Sequence, residues 1–469
     1  MSDEYDVVVI GAGPVGENAA QYAIEGTDLT ACLVERELVG GECSYWACMP
    51  SKALLRPVEV AAVTADLGGL SEAAIDIRGL TKRRDEWVSS YDDAGQVSWA
   101  NEAGLHVVRG EARLTGPRTV TVTGTSGTRV LTARKAVVIA TGSEAVVPEA
   151  FADALPWGSR DATGVVEVPG RLAVVGGGVV ACEAATWLAA MGSRVTMLVR
   201  GERLLGAYEP FVGEAVQAGL EQRGVEVRLG ADVTACARKD ARDTGLGRVH
   251  GGEVTLTVGG TALVVDEVLV ATGRRPRLDD LGLANVGLTS DDVLQGRTPA
   301  WLLAVGDASG EPQLTHWGKY RARVLGARIA ASAGGPAAYE PRREVPVPQV
   351  VFTDPQVASV GMTEQQARDA GIEVVTAQVP ISSASGVSLL RDTVEGNAQL
   401  VVDADRRVLV GATFVGPEVA ELVHGATIAI VGEVPVHVLR HAVPSYPTAS
   451  EIWLRLLESL PADMRRALG

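Results

Sequence analysis

Residues 5–16 read YDVVVIGAGPVG, an apolar run of strand length that ends in the glycine pattern G-x-G-x-x-G. An alanine-rich segment with helical character follows at once. In a strand–turn–helix unit of this kind, the glycines allow a tight turn and let a pyrophosphate approach the backbone N–H groups at the start of the helix. The stretch therefore predicts a dinucleotide site that involves Gly11, Gly13 and Gly16.

The residues after this unit extend the pattern. A second apolar run, 30–34, ends in Glu35, and an acid at that point of a dinucleotide unit binds the hydroxyl pair of a ribose. Further predicted strands follow at 105–109, 119–123 and 136–140, and the last of them closes in Thr141-Gly142. Glu35, Thr141 and Gly142 therefore join the predicted first site.

The chain then repeats the unit. A predicted strand at 171–175 leads into GGGVVA at 176–181 and another alanine-rich helix, and the strand after it ends in Arg200. Arg200 follows the first glycine of its motif by 24 residues, the same offset that separates Glu35 from Gly11. Equivalent positions thus carry opposite charges. An acid suits a bare ribose, whereas an arginine can bind a 2′-phosphate bidentately.

The second site is therefore predicted to prefer NADPH, with NADH still possible. Its predicted residues are Gly176, Gly178, Ala181, Arg200 and Arg203. The alternative is that Arg200 is an ordinary exposed arginine on a loop. Two unlike sites in one chain indicate FAD in the first and a nicotinamide cofactor in the second.

Charge and composition exclude several classes of partner. A net charge of −16 and a pI near 5 argue against nucleic acid and anionic membranes, because both require a basic face. No run approaches the roughly 18 apolar residues of a membrane span, and residues 1–10 lack the pattern of a signal peptide. We therefore expect a cytoplasmic protein, in keeping with its sparse cysteine content.

Two of the five cysteines lie close together in GGECSYWACMPSK at 40–52. In an ideal α-helix, residues five apart have Cα atoms roughly 8.6 Å apart, whereas a disulfide tolerates at most about 7 Å. A bond between Cys43 and Cys48 therefore requires a backbone bent out of ideal helix. The spacing alone leaves two alternatives open, a reducible disulfide and a pair of buried thiols that do not bond.

The run Gly-Gly-x-Cys-x4-Cys-x-Pro-Ser-Lys resembles the redox-active disulfide of the flavin disulfide reductases, the family of glutathione reductase, lipoamide dehydrogenase and mercuric reductase. The resemblance implies that Cys48 lies against the flavin as the charge-transfer thiolate and that Cys43 is the outer thiol that meets substrate. Gly41 is also predicted to contact the cofactor. In the family a Thr that helps to hold the flavin pyrophosphate usually follows Gly-Gly, and here that residue is Glu42.

The resemblance covers nearly the whole chain. Gly273 lies in ATGRRP at 271–276, and Asp307 lies in AVGD, which resembles the family's returning FAD strand with an Asp that binds the ribityl chain. The C-terminal part resembles the interface domain that forms the family's homodimer. The implied fold is α/β, with two Rossmann-like dinucleotide-binding domains and a C-terminal α+β interface domain. The expected domains are FAD binding at 1–149 and 274–343, NAD(P)H binding at 150–273, and interface at 344–469.

The resemblance also implies the chemistry. NADPH gives hydride to the flavin, the flavin reduces the Cys43–Cys48 disulfide, and the dithiol reduces a small-molecule acceptor. Lys52 and Glu183 match a family Lys–Glu pair beside the flavin, where a cation stabilises charge that develops on the reduced ring. No set of residues is predicted to hold a resident metal ion.

One departure from the family bears on the acceptor. The usual His-Pro-Thr-x-Ser-Glu, which carries a His–Glu acid–base dyad, aligns with YPTASE at 446–451, so that Tyr446 replaces the His and Glu451 is kept. An unperturbed His titrates near about 6.5 and a Tyr near about 10. Reduction of an organic disulfide needs its leaving thiolate protonated, so we expect this enzyme to be poor at it unless Tyr446 or His441 supplies the proton.

A soft metal ion binds thiolates directly and leaves no thiol to protonate. Mercuric reductase has a Tyr at the dyad position and a similar Val-Val-Ala-x-Glu run in its second motif, which favours a metal-ion reductase. Against this, residues 463–469 lack the C-terminal cysteine pair of mercuric reductases, and no metal-binding module is expected before the first motif. A quinone reductase and a flavoprotein redox sensor without turnover stay open as alternatives.

Overall fold

The structure, a computed structural model, describes residues 2–336 and 345–467. From the N-terminus its elements are β1 (Ser2–Ile10), α1 (Pro14–Ile24), β2 (Ala31–Glu35), α2 (Gly41–Tyr45), α3 (Cys48–Ala65), α4 (Ile77–Trp87), α5 (Ala94–Glu102), β3 (Leu105–Arg109), β4 (Glu111–Gly116), β5 (Thr119–Gly124), β6 (Gly127–Ile139), β7 (Ser143–Ala145), α6 (Ser159–Thr163), β8 (Arg171–Val175), α7 (Val179–Ala190), β9 (Arg194–Val199), α8 (Pro210–Gln222) and β10 (Glu226–Leu229). They continue with β11 (Val233–Arg238), β12 (Val254–Val258), β13 (Thr261–Val265), β14 (Glu267–Val270), β15 (Arg274–Pro276), α9 (Ser290–Leu294), β16 (Leu302–Ala304), α10 (Thr315–Ala331), β17 (Gln349–Val351), β18 (Gln356–Gly361), α11 (Glu364–Asp369), β19 (Val374–Pro380), α12 (Ser385–Ser388), β20 (Asn397–Asp403), β21 (Leu409–Gly416), α13 (Leu422–Val431), α14 (Val436–Leu439) and α15 (Glu451–Ser459). No helix in these two described stretches is long and apolar enough to cross a membrane.

The chain divides into two compact units, each assembled from separated segments. The first unit consists of Met1–Pro50, Lys82–Val146 and Gly273–Arg343, and the second of Ser51–Thr81, Val147–Thr272 and Glu344–Gly469. The four functional domains expected from the sequence stay a prediction. Their last boundary, between residues 343 and 344, lies outside the described residues.

A mixed sheet forms the centre of the first unit. Its strand order is β3-β2-β1-β6-β5-β4, and β16 pairs with β6. β3, β2, β1, β6 and β16 run parallel, whereas β4 and β5 are antiparallel. Val7, Val8 and Val9 of β1 have no exposed surface, as expected for parallel strands covered on both faces. α1 packs closely on α10, because a Cβ on Gly326 would lie 2.7 Å from Cβ of Tyr22.

The second unit contains a parallel sheet of order β10-β9-β8-β14, an antiparallel sheet β11-β12-β13, and a five-stranded antiparallel sheet β17-β18-β21-β20-β19. Residues 181–188 of α7 are all buried, as in a helix surrounded by core. α13 and α15 cover the five-stranded sheet, where the rings of Phe414 and Trp453 lie 5.7 Å apart. The predicted α/β class, with two dinucleotide-type sheets and a C-terminal α+β part, is confirmed.

The predicted strands at 105–109 and 171–175 have the predicted bounds, as β3 and β8. The run predicted at 136–140 belongs to a much longer strand, β6, because residues 127–132 pair with β5 in an antiparallel hairpin.

Candidate active site

Two glycines of the first motif occupy positions that tolerate no side chain. Gly11 follows β1 with a φ of +102°, and a Cβ there would overlap the carbonyl oxygen of Ala140. A Cβ on Gly16 would overlap the carbonyl oxygen of Gly11. Gly13 is extended and Pro14 begins α1. The turn therefore leaves the N–H groups of the helix start accessible to a pyrophosphate, and it fits the FAD that the sequence predicts.

The carboxylate of Glu35 fixes the same turn. Its Oε2 accepts a hydrogen bond from the N–H of Ala12 at 2.9 Å, and its Oε1 accepts one from the N–H of Glu37 at 2.8 Å. These bonds hold the acid at the carboxyl end of β2, where the ribose of a dinucleotide lies. Thr141 is held by its hydroxyl group, which donates to the carbonyl of Arg277 at 2.6 Å.

Asp307 belongs to a chain of polar side chains beside β7 and β15. The hydroxyl of Ser143 donates to Oδ2 of Asp307 at 2.6 Å and accepts a bond from Nε of Arg274 at 2.9 Å. The guanidinium of Arg274 also lies 3.6 Å from Oε1 of Glu42. Glu42, the residue that departs from the family pattern, therefore faces a cation in the first unit.

Three further predicted glycines need the left-handed region of backbone conformation. Gly41, Gly142 and Gly273 have φ values of +58°, +73° and +138°. Such angles strain any residue that has a Cβ. A Cβ on Gly41 would in addition lie 2.7 Å from Cα of Gly13, so the cysteine segment and the first glycine turn are in backbone contact.

The cysteine pair lies where one short helix ends and a long helix begins. Cys43 is in α2, Cys48 is the first residue of α3, and Trp46 between them has non-helical angles of φ −133° and ψ −1°. Gly40, with φ +108°, leads the chain into α2. The backbone is thus bent out of ideal helix between the two cysteines, which is the condition for their sulfur atoms to meet.

Cys43 and Cys48 are present as thiols that share a hydrogen bond. The hydroxyl of Thr315, at the start of α10, lies 3.4 Å from Sγ of Cys48. The hydrogen bond with Cys48 and burial raise the pKa of Cys43 far above the range of an ordinary thiol, while Thr315 and the ammonium of Lys319 act in the opposite direction. Cys43 therefore holds its proton tightly in this state.

The second motif repeats the first in the second unit. Gly176 follows β8 with φ +128°, and a Cβ there would overlap the carbonyl oxygen of Ala271. Gly178 precedes α7, and among the described residues no atom other than those of Gly178 and its chain neighbours lies within 4 Å of where its Cβ would be. Ala181 is fully buried. The start of α7 is therefore open to a nucleotide in the way that its glycines predict.

The two predicted arginines lie beyond the end of β9. Arg200 and Arg203 are both exposed, and the guanidinium of Arg203 donates to the carbonyl of Gly206 at 3.1 Å. An exposed guanidinium at the carboxyl end of the second strand is where a 2′-phosphate would be bound. The nucleotide role of Arg200 and Arg203 stays a prediction.

The structure brings Lys52 and Glu183 together within the second unit. Nζ of Lys52 lies 2.7 Å from Oε2 of Glu183, whose side chain is only 5% exposed. Oε1 of Glu183 accepts a hydrogen bond from the N–H of Phe352 at 3.0 Å, and Nζ of Lys52 lies 4.8 Å from the centre of the Phe352 ring. Both carboxylate oxygens of Glu183 are thus engaged, so the ammonium has a fixed position.

The residues at the dyad positions do not share one environment. Tyr446 exposes 76% of its surface, whereas Glu451, the first residue of α15, exposes 5%. Oε2 of Glu451 accepts a hydrogen bond from the N–H of Gly386 at 3.1 Å. His441 is exposed as well. The buried acid is thus present, and the phenol that replaces the imidazole faces outward from this chain.

Residues 5–320 match the pyridine nucleotide-disulphide oxidoreductases, and residues 347–456 match the dimerisation domain of the same family. This chain belongs to that family. It is 34% identical over 462 residues to dihydrolipoyl dehydrogenase 2 of Haloarcula marismortui, covering 95% of this chain and 94% of the relative. It is also 31% identical over 464 residues to a mercuric reductase of Staphylococcus aureus, covering 96% of this chain and 81% of the relative.

Solved structures of flavoprotein disulfide reductases share the fold. The HOCl-induced reductase RclA from Escherichia coli is 24% identical with a TM-score of 0.82, and LpdA from Mycobacterium tuberculosis is 21% identical with a TM-score of 0.82. Each comparison covers 97% of this chain and 99% of the other. The identities are low enough that these likenesses establish the fold and nothing finer.

Family membership confirms the predicted class of enzyme and of cofactors. The protein is a flavin-dependent NAD(P)H oxidoreductase of the disulfide type, and it uses FAD and NAD(P)H. The glycine turn around Gly11 and Gly16 fits FAD, and the open start of α7 fits NAD(P)H. The roles of individual residues and the identity of the acceptor stay predictions.

Four residues that the structure places in the first unit's site were not predicted from the sequence. Ser143 and Arg274 join Asp307, Thr315 contacts the cysteine pair, and Lys319 acts on Cys43 through its charge. Thr315 shows in the sequence only as one of several polar residues near the start of a helix. The other three have no local signal, because their partners are distant in the chain.

Proposed function

We propose that this enzyme passes electrons from NADPH, through FAD, to the Cys43–Cys48 pair and from there to an acceptor other than a typical organic disulfide. The observation that carries the proposal is the contact between the two thiols at the junction of α2 and α3. A pair that meets across a bend can form and break a disulfide without moving the helices on either side. We assign Cys48 to the inner position and Cys43 to the outer, acceptor-facing position.

Other residues of the chain support this reaction. Bound FAD supplies a two-electron carrier between the nicotinamide and the disulfide. Thr315 contacts Cys48 and stabilises the sulfur as it gains negative charge. The Lys52–Glu183 pair holds an ammonium in a fixed position, as required of a cation that stabilises a reduced flavin. The glycine turn and Glu35 bind the adenosine half of FAD, and Asp307 binds its ribityl chain.

NADPH is proposed as the reductant because of the charge at Arg200. Its guanidinium is exposed and therefore available to a 2′-phosphate, whereas the equivalent position of the first site is the acid Glu35. Arg203 lies near enough in the chain to contribute a second cation.

The proposed acceptor class follows from the dyad positions. An organic disulfide releases a thiolate that must be protonated, and general acid–base help of this kind is typically worth about 10²–10⁴-fold in rate. An ordinary phenol titrates near about 10, far above neutral pH, and Tyr446 exposes 76% of its surface in this chain. A quinone does not require that step, and nor does a soft metal ion.

A metal-ion reductase is the second candidate. The mercuric reductase of Staphylococcus aureus among the relatives favours it. Among the described residues, no group of three or more His, Cys, Asp or Glu side chains is arranged to hold a metal ion. We assign a metal-ion substrate to the thiols of Cys43 and Cys48.

We also propose that the enzyme acts as a homodimer in a reducing cytoplasm. The match to a dimerisation domain supports the homodimer. A groove of about 470 Å³, lined by residues of α13, α15 and the loop at 442–450, supports it as well. Val443 and Tyr446 of this loop are 86% and 76% exposed. The low number of cysteines supports a location in a reducing cytoplasm.

The experiment that tests the acceptor is steady-state oxidation of NADPH by the holoenzyme with four acceptors: oxidised lipoamide, glutathione disulfide, menadione, and Hg(II) in excess thiol. We expect turnover with menadione or Hg(II) to exceed turnover with either disulfide. Fast reduction of lipoamide would contradict the proposed acceptor class. No NADPH oxidation with any acceptor would instead support the redox sensor. Cys48→Ser should abolish NADPH-dependent turnover with every acceptor, whereas the matched control Cys236→Ser, which changes a half-buried cysteine outside the pair, should keep it.

A further inference from the structure

Three consecutive residues shortly after α4 adopt a left-handed backbone. Ser89, Ser90 and Tyr91 have φ values of +49°, +50° and +62°. Residues with a Cβ are strained in this region and visit it singly rather than in succession. Such strain persists only where the surrounding structure imposes it, and it is concentrated at functional sites. The turn Ser89–Tyr91 therefore calls for a functional explanation.

The ring of Tyr91 lies on Trp46, the residue at the bend between the two cysteines. The centres of the two rings are 6.2 Å apart and their planes are inclined by 30°, which is a stacked arrangement. Trp46 has the non-helical angles that separate α2 from α3, and it is 9% exposed. A side chain of the strained turn thus covers the residue that bends the backbone between Cys43 and Cys48.

Further side chains complete a small apolar cluster around this bend. Tyr45 is buried, and its ring centre lies 5.7 Å from that of Trp46. A Cβ on Gly40 would lie 3.0 Å from Cε2 of Tyr45, so the ring also packs on the backbone that leads into α2. Leu38 and Val88 belong to the same cluster. The two central residues of the Cys-x4-Cys segment are therefore packed rather than free.

A carboxylate just after the turn anchors the chain before the cysteine pair. Oδ2 of Asp93 accepts a hydrogen bond from the N–H of Val39 at 2.7 Å, and Asp93 also pairs with the guanidinium of Arg109. Arg109 in turn donates to the carbonyl of Glu37 at 2.7 Å. Within the first unit, the segment that enters the cysteine pair is thus held by Asp93 and the segment inside the pair is held by Tyr91.

These contacts bear differently on the two redox states of the pair. A disulfide holds the bend covalently, whether or not the Tyr91 ring is present. The dithiol keeps the bend only through packing, and it does keep it, since the two thiols share a hydrogen bond. Loss of the ring would therefore free the backbone of the dithiol and leave the disulfide almost unchanged. A gain of conformational freedom in one state favours that state, which here is the dithiol.

We propose that Tyr91 is a positioning residue that, through its stack on Trp46, holds the bend of the reduced pair and so lowers the reduction potential of its disulfide. When the pair reduces an acceptor, one S–S bond forms and two S–H bonds break. Two electrons pass to the acceptor, and two protons pass to the acceptor or to water. A lower potential makes this step more favourable. The inference rests on the proposed function, since it assumes that Cys43 and Cys48 cycle between dithiol and disulfide.

The test is the equilibrium of the pair in FAD-loaded protein, in buffers that contain dithiothreitol and its cyclic disulfide in varied ratio. Free thiols are trapped with an alkylating reagent, and the fraction of Cys43–Cys48 disulfide is measured by peptide mass spectrometry. Tyr91→Leu should lower the equilibrium constant for disulfide formation by about 10-fold, which corresponds to the ordering of about one backbone residue. The midpoint potential of the pair should then rise by about 30 mV.

Two further variants separate the ring contact from other effects. Tyr91→Phe keeps the ring and loses the hydroxyl, so it should keep the wild-type potential. Tyr22→Leu changes a half-buried tyrosine where α1 packs on α10, and it should keep that potential as well. An unchanged potential in Tyr91→Leu, or an equal rise in either control, would overturn the inference.

The flavin content of the variants and the behaviour of the wild type complete the test. Tyr91→Leu should retain as much FAD as the wild type. Loss of FAD from it would overturn the inference, because the ring would then be needed for the fold around the flavin rather than for the bend. A wild-type protein that forms no Cys43–Cys48 disulfide at any buffer ratio would overturn the proposed function instead.

Discussion

Glu35 and Arg200 occupy the same position of a repeated unit and carry opposite charges. Glu35 is fixed by hydrogen bonds to two backbone N–H groups, whereas Arg200 is exposed at the end of its strand. A fixed carboxylate repels a 2′-phosphate and accepts hydrogen bonds from the ribose hydroxyls. A guanidinium instead attracts a 2′-phosphate and can bind it bidentately. We propose that this charge reversal assigns two different nucleotides to the two similar folds.

Arg200→Glu is therefore expected to change the nucleotide preference. Loss of a hydrogen bond to a charged group costs about 1.5–3 kcal/mol, so kcat/KM with NADPH should fall by about 10- to 100-fold and kcat/KM with NADH should change little. The measurement is steady-state kinetics with both nucleotides. Arg194→Glu, at the exposed opposite end of β9, is the control. An equal loss with both nucleotides would show that Arg200 does not read the 2′-phosphate.

At the level of elements, the starts of α1 and α7 show what the glycine motif contributes. Gly16 has no room for a side chain, because a Cβ there would overlap the backbone of Gly11. Gly178 has free space where its Cβ would be, among the described residues other than its chain neighbours, so that a nucleotide could approach the backbone there. We therefore propose that the motif contains one glycine that folding needs and another that nucleotide binding needs.

A matched pair of alanine variants tests this distinction. Gly16→Ala should lower the FAD content of the purified protein and its thermal midpoint, since the turn cannot close around a Cβ without shifting. Gly178→Ala should leave FAD content and thermal midpoint unchanged and raise KM for NADPH. The measurements are flavin absorbance per protein, thermal unfolding and kinetics. Gly178→Ala unfolding as early as Gly16→Ala would contradict the assignment of the two glycines.

Sequence reasoning predicted elements better than contacts. The strands and glycine turns were predictable because their signals are local, and β3 and β8 have the predicted bounds. The Lys52–Glu183 pair spans 131 residues of chain and was predicted only through the family resemblance. The contact between Cys48 and Thr315 spans 267 residues and was missed.

For the whole molecule, exposed apolar residues of the C-terminal part support a second copy as partner. Val443→Glu places a charge on the loop that borders the groove, and a charge buried without a partner at an interface is unfavourable. We expect this variant to elute as a monomer, measured by size-exclusion chromatography with light scattering. Val166→Glu changes an exposed valine elsewhere in the second unit and should stay dimeric. A dimeric Val443→Glu protein would exclude this loop from the interface.

The central claim is that electrons from NADPH reach the Cys43–Cys48 pair by way of FAD, and alkylation of cysteines tests it most directly. Air-oxidised holoenzyme is treated with NADPH without oxygen, denatured in an alkylating reagent, and analysed by peptide mass spectrometry. We predict that Cys43 and Cys48 are labelled only after NADPH, that protein stripped of FAD shows no such change, and that Cys32, Cys182 and Cys236 are labelled throughout. Labelling of Cys43 and Cys48 that does not depend on NADPH, or that NADPH produces without FAD, would contradict the account.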